Sequence, residues 1–203
     1  MRLNEMTRRG FIKGVGAAGI GAVAGTATNS MNPTPPPLPS VSTDPYNQQD
    51  IEDKAKSEKD KEIEDLSDKV VSKYNIDTDL ARTIVVLTKK YEHPTFPRAE
   101  DLLSIIGIES SFNPNAVSGL KKDPAVGLTQ IRPGVWGIDP EELSGDMEKQ
   151  ISLASDILTK YNRQLKSPRN AVHAYNVGET AFRRGKHNPS YVQKFEKERT
   201  LYK

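Results

Sequence analysis

The sequence contains no cysteine. That excludes disulfides, thiolate metal sites, a thiol nucleophile and a lipid-modified N-terminal cysteine. The few histidines, His93, His173 and His187, lie far apart, a poor set for a zinc centre. No run of about 18 strongly apolar residues occurs, which rules out a multi-span membrane protein. Neither charge sign dominates: the net charge is +2, too small to argue for nucleic acid. Apolar residues make up only 35% of the chain, against about 45–50% in average domains with glycine counted. Part of the chain therefore lies outside a packed core.

The charge is unevenly spread. Residues 1–27 carry +3, 28–50 carry −2, 51–69 carry −3 and 70–203 carry +4. Thr7-Arg8-Arg9-Gly10-Phe11-Ile12-Lys13 has the form of a twin-arginine export signal. A weakly apolar Gly/Ala-rich run follows, too short to span a bilayer. Ala22-Val23-Ala24 and Gly25-Thr26-Ala27 offer small-residue cleavage sites. Residues 1–27 are therefore expected to be a signal peptide, and the mature protein is expected to work outside the cytoplasm with no stable membrane insertion.

Residues 28–50 hold six of the 14 prolines (Pro33, Pro35, Pro36, Pro37, Pro39 and Pro45). They read as a disordered linker. Residues 51–69 carry 13 charges in 19 positions. Glu52/Lys56 and Asp65/Lys69 are helix-compatible pairs. Apolar spacing becomes regular at Ile63, Leu66, Val70 and Tyr74. Residues 51–75 are thus expected to form a charged helical segment that firms up towards its end.

Residues 76–203 read as one mainly α domain. Helical spacing covers residues 79–91, 98–111 (with Pro97 in the first turn), 148–165 and a stretch opened by Ser167-Pro168 that ends near Gly178. Asp139-Pro140-Glu141-Glu142 marks a short helix start. Tyr191, Val192, Phe195 and Tyr202 fit a terminal helix. Residues 113–136 are irregular, with room for a short β-hairpin or loops.

Leu102, Ile105, Ile106 and Glu109 fall at i, i+3, i+4 and i+7. Glu109 therefore lies on an apolar face, close to a helix C-terminus. Desolvation and the negative end of the helix dipole both disfavour its anion. A glutamic acid protonated near neutral pH can donate a proton. Spacing alone leaves open a glutamate that turns to solvent or pairs with arginine. Gly127-Leu128-Thr129-Gln130-Ile131-Arg132-Pro133 and Ala174-Tyr175-Asn176-Val177-Gly178 add amides and a phenol. Together these are the groups needed to bind and cleave a sugar polymer.

The stretch from about Asp101 to Phe195 resembles the catalytic domain of the soluble lytic transglycosylase family. The matching residues are Ile106-Gly107-Ile108-Glu109-Ser110-Ser111-Phe112-Asn113-Pro114, Ala116-Val117-Ser118, Gly127-Leu128-Thr129-Gln130-Ile131, Ala174-Tyr175-Asn176-Val177-Gly178 and Tyr191-Val192. Their order and spacing carry the resemblance. It departs at Thr129, where the family usually has methionine, and at Pro124, where it usually has glycine.

The resemblance implies a lysozyme-like fold, a peptidoglycan substrate and no metal or organic cofactor. It implies a carbon–oxygen lyase with Glu109 as single acid/base, cutting the β-1,4 bond from N-acetylmuramic acid to N-acetylglucosamine. The product would be a 1,6-anhydromuramic end. Tyr175 is expected to align Glu109 or the reacting sugar. Gln130, Ser118, Ser110, Thr129 and Tyr191 are the other expected substrate contacts, Thr129 through saccharide packing. Gly127 and Asn176 are expected to support the site, Asn176 by holding Tyr175. Trp136, the single tryptophan, is expected in the core.

Two alternatives stand beside this reading. One is a hydrolytic muramidase on the same fold, with Asp123 or Asp139 as the second carboxylate. The other is an inactive peptidoglycan-binding scaffold of a cell-envelope machine, engaged through residues 28–75. The expected setting is the periplasm or cell wall of a bacterium, with a phage-encoded protein acting there as the variant. The expected state is a monomer.

Overall fold

The computed structural model describes residues 45–203. The expected signal peptide and most of the expected linker lie outside the described residues. Nine helices occur among the described residues: α1 (Pro45–Tyr74), α2 (Thr78–Lys90), α3 (Ala99–Ser110), α4 (Pro133–Trp136), α5 (Pro140–Ser144), α6 (Met147–Leu165), α7 (Pro168–Val177), α8 (Glu179–Arg183) and α9 (Pro189–Arg199). The expected mainly α class is observed. In place of a regular hairpin, the 113–132 region carries two isolated antiparallel bridges, Val117 to Val126 and Val126 to Ile131. No helix among the described residues is long and apolar enough to cross a membrane.

Helix α1 starts at Pro45, earlier than the composition break near residue 50 suggests. Proline is well tolerated in a first helical turn, where its missing N–H costs nothing. Residues 48–62 are exposed along every face, whereas Ile63, Leu66 and Val70 are buried. The end of α1 therefore belongs to the core of the domain and packs on α2.

Side-chain caps set the helix starts. Asp77 accepts from Leu80 N, Asp139 from Glu141 N, Asp146 from Lys149 N, Ser167 from Asn170 N and Asn188 from Tyr191 N. Each satisfies a donor that the helix itself leaves unpaired. Helix α3 differs from expectation. Pro97 precedes the cap instead of sitting in the first turn. The Asp101 carboxylate takes the Arg98 N–H at 2.8 Å, which makes Arg98 the cap.

The core is one cluster drawn from α1, α2, α3, α5, α6, α7 and α9, joined by loop residues such as Phe112, Val126, Leu128 and Ile131. Helix α3 is its most buried element: Leu102, Leu103, Ile105 and Ile106 are essentially inaccessible. It packs against α9, α2 and α6. Whatever projects from the end of α3 is thus held by several helices.

Candidate active site

Glu109 sits where its spacing predicts, one turn beyond Ile105 and Ile106 at the C-terminal end of α3. It is partly buried. The Tyr191 hydroxyl donates to its Oε1 at 2.5 Å. Burial pushes the Glu109 carboxyl above its ordinary pKa, and the Tyr191 bond opposes that rise with lesser effect. Burial, with the charge of Glu109, also raises the Tyr191 phenol well above its ordinary value. The phenol therefore keeps its proton and remains the donor.

The turn after Glu109 is tightly specified. Ser111 and Phe112 both adopt left-handed backbone, with φ of 52° and 63°. Such angles are uncommon outside glycine and need support from packing. Phe112 supplies it: the ring is fully buried and lies 4.7 Å, centroid to centroid, from Tyr74. Two residues before Glu109, Gly107 lets the Tyr74 hydroxyl pass. A Cβ there would overlap that oxygen. Tyr74 reaches Glu198 Oε1 at 2.6 Å, and Tyr202 reaches the same oxygen at 3.1 Å. Lys73 pairs with the other Glu198 oxygen. This network ties the ends of α1 and α9 across α3.

The loop facing Glu109 is anchored from beneath by Gln150, a fully buried residue of α6. Gln150 Oε1 accepts from Leu128 N at 2.8 Å, and Nε2 donates to Leu143 O at 2.9 Å. Gly127, with φ of +72°, lies directly on that amide, and a Cβ would collide with it. The sequence reading missed Gln150. Its signal is visible afterwards: Gln150, Ala154, Ile157 and Tyr161 form one buried stripe of α6, and an amide on such a stripe must find partners.

The expected substrate contacts divide. Gln130 reaches the cleft, and its φ of 49° is another left-handed non-glycine angle. Its Nε2 donates to Ala116 O at 3.1 Å and Gly127 O at 3.0 Å. Thr129 is only 1% exposed, and its Oγ1 donates to Gln150 O at 3.1 Å. A hydroxyl so placed anchors the loop and cannot pack on a saccharide, contrary to expectation. Ser118 Oγ accepts from Ala125 N at 2.8 Å, and Ser110 Oγ donates back to Ile106 O at 3.2 Å. Both hydroxyls hold local backbone.

Tyr175 and Tyr191 both depart from the roles expected of them. The Tyr175 hydroxyl donates to Thr129 O at 2.8 Å, so it braces the loop, and Tyr191 is the phenol on Glu109. Asn176 does not hold Tyr175 either. Its Oδ1 accepts from Asn188 Nδ2 at 2.8 Å. Asn188 also caps α9 and donates its N–H to His173 Nδ1 at 3.3 Å. Asn176 and His173 thus set the start of α9, three residues from Tyr191.

Glu109, Gln130, Trp136, Tyr161, Tyr175 and Asn176 line a cleft of about 240 Å³ with Arg132 at one side. Ser110, Ser118, Thr129 and Tyr191 do not line it. Trp136 faces this cleft and is only partly buried, a correction to its expected place in the core. Helix α4 has just four residues, too few to bury an indole on both faces. Glu109 is the only carboxylate among the described residues lining the cleft. Asp123 instead accepts from Gly134 N at 2.9 Å and pairs with Arg132 at 3.2 Å, and Asp139 caps α5.

A comparison with protein families finds the profile described as "Transglycosylase SLT domain" over residues 88–197. That range spans α3 to α9 almost entirely and includes Glu109, the Gln130 loop, Tyr175 and Tyr191. Searches of curated proteins and of solved structures returned no match. The profile covers more than half of the chain, so the protein belongs to the transglycosylase SLT domain family.

Proposed function

We propose that the protein is a peptidoglycan lytic transglycosylase in which Glu109 is the single general acid/base. Family membership supplies the coarse frame: a lysozyme-like fold, a peptidoglycan substrate and extracytoplasmic action. The observation that carries the finer reading is the solitary Glu109 carboxyl in the cleft, raised in pKa by burial. Enzymes that hydrolyse with two carboxylates need a second one about 5–9.5 Å away. The two loop candidates, Asp123 and Asp139, are engaged in backbone and arginine contacts outside the cleft.

In this reading Glu109 protonates the glycosidic oxygen as the bond from C1 breaks. The muramic acetamido oxygen bonds to C1 and gives a bicyclic intermediate. Glu109, now a carboxylate, takes the proton of the same sugar's C6 hydroxyl. The C6 oxygen attacks C1, the acetamido oxygen departs, and a 1,6-anhydro end results. Tyr191 holds Oε1, which leaves Oε2 to carry the travelling proton. Acid–base catalysis of this kind contributes about 10²–10⁴-fold.

The chain organisation fits export followed by work on the wall. Residues 1–27 act as the twin-arginine signal, the following Pro-rich stretch as a linker, and residues 76–203, with the buried end of α1, as the catalytic unit. The exposed part of α1 is the segment available to a cell-envelope partner.

The test is to incubate the protein and its Glu109→Gln variant with purified peptidoglycan and identify the released ends by mass spectrometry. Anhydro ends from the wild type alone are expected. Reducing ends would make the protein a muramidase. Binding without release by either protein would make it a scaffold.

A further inference from the structure

The cleft at Glu109 does not end at Trp136. It opens into a second, wider pocket of about 610 Å³ that shares Val135, Trp136, Tyr161, Val177 and Gly178 with it. The new wall is cationic. Lys160, Arg184 and Lys186 line it, and none of the three forms an ion pair among the described residues. The one carboxylate there, Glu179, is paired with Arg183 at 2.8 Å.

The three cations are placed by local structure. Lys160 comes from α6 and holds its ammonium 5.2 Å from the centroid of the Trp136 ring. Arg184 and Lys186 flank Gly185, whose φ of +86° makes the turn. That turn is closed by Arg184 N donating to Ala181 O at 3.1 Å and by Lys186 N donating to the same oxygen at 3.0 Å. The wall thus brings several positive charges to the edge of the Glu109 cleft, with no ion pair among the described residues to neutralise them.

We infer that Lys160, Arg184 and Lys186 form a subsite for the carboxylates of the peptide stem borne by the glycan, so that the protein selects peptide-substituted strands over bare ones. The inference rests on the proposed reading of Glu109. The sugar rings themselves carry no charge to match this wall. A bare muramic residue offers one lactyl carboxylate, whereas a stem peptide offers several. Trp136 lines both pockets and so stands where the glycan would pass as its peptide enters the wider one.

The test separates binding from turnover. Binding is read from the emission of Trp136, the only tryptophan, in the Glu109→Gln background so that substrate is not consumed. The ligands are soluble glycan strands with their stems and the same strands stripped by an amidase, which leaves the lactyl carboxylate. Peptide-bearing strands are expected to bind on the order of tenfold more tightly, since exposed ion pairs each contribute a few-fold. The preference should fall as salt rises. Combining Lys160→Gln, Arg184→Gln and Lys186→Gln should erase it while leaving stripped strands bound as before. The charge-keeping pair Arg184→Lys and Lys186→Arg should retain it. Equal binding of both strand types overturns the inference, as does a preference that survives the triple change. A triple change that weakens both ligands alike overturns it too. Anhydro ends are followed separately in the otherwise wild-type protein. Their absence would sink the proposed reaction, and the binding comparison would still decide the subsite.

Discussion

Tyr191 donates its hydroxyl to Glu109 Oε1 at 2.5 Å, across a sequence separation of 82 residues. The pair exists because α9 packs along α3 and because Asn188 fixes where α9 begins. The bond favours the Glu109 carboxylate, while burial, the larger influence, favours the acid. The acid's readiness to give its proton is set by that opposition.

Tyr191→Phe should therefore raise the pKa of Glu109 further. The alkaline limb of the pH–rate profile, which requires the protonated acid, should move to higher pH. Turnover should fall by about 10–10²-fold, short of the full contribution of an acid/base group. A profile that loses height without moving would show that Tyr191 only supports the fold. The measurement is release of soluble fragments from peptidoglycan across pH.

Glu109→Gln should abolish turnover and stabilise the fold at neutral pH. The folded state raises the Glu109 pKa above the ordinary 4.5. Folding then binds the proton more tightly than the unfolded chain does. The associated stability is fully present below 4.5 and lost as pH rises through the folded value. Glutamine does not titrate and loses nothing. The variant should exceed wild type by about 0.5–2 kcal/mol at neutral pH, a usual gain for relieving a functional site, and converge with it in acid. Denaturant titrations at several pH values would show this. Equal stability throughout would mean that Glu109 is not penalised by burial.

Glu109 was legible in the sequence because its signal is local: a carboxylate on a helical apolar stripe. Its phenolic partner was not, since only the packing of α3 on α9 decides between Tyr175 and Tyr191. Helices α4 and α8, of four and five residues, are too short to show a period. Trp136, on one of them, therefore has no stripe that would assign it to the cleft or to the core. The start of α1 at Pro45 was masked by the proline-rich composition before it. Thr129 reads as a sugar contact because the family motif runs through it, whereas Gln130, Ile131 and Arg132 are the residues of that stretch that line the cleft.

Gln150→Leu tests whether the loop under the cleft is held by one amide. The change keeps much of the volume but strands Leu128 N, which Gln150 satisfies at 2.8 Å, and takes from Leu143 O its 2.9 Å donor, leaving it Asp146 N at 3.4 Å. A buried donor or acceptor left alone costs about 1–3 kcal/mol. One stranded donor should lower stability by about 1–3 kcal/mol. Tm should fall accordingly, and activity should drop more than unfolding explains, because Gln130 and the Tyr175 anchor ride on the same loop. Unchanged stability would place the loop's support elsewhere. Gln150→Glu is the companion variant, since it keeps the acceptor to Leu128 N and puts in place of the NH2 donor a carboxyl oxygen whose charge burial disfavours.

His173 links acid pH to the same machinery. It is buried, and its Nδ1 accepts from Asn188 N at 3.3 Å. That bond requires an unprotonated Nδ1. Burial first, then the neighbouring His187 and Arg169, lower its pKa, with Glu196 opposing them. A histidine whose folded pKa lies below the ordinary 6.5 is protonated first in the unfolded chain. Its stability contribution is thus intact above 6.5 and lost as pH falls towards the folded value. Protonation also removes the acceptor that steadies the start of α9, so the Tyr191–Glu109 contact should loosen over the same range. His173→Gln offers an amide oxygen in place of Nδ1 and does not titrate. It should flatten the pH dependence of Tm between neutral and mildly acid conditions. If the slope is the same with and without the histidine, the acid sensitivity of the fold lies in other groups, and α9 is anchored independently of His173.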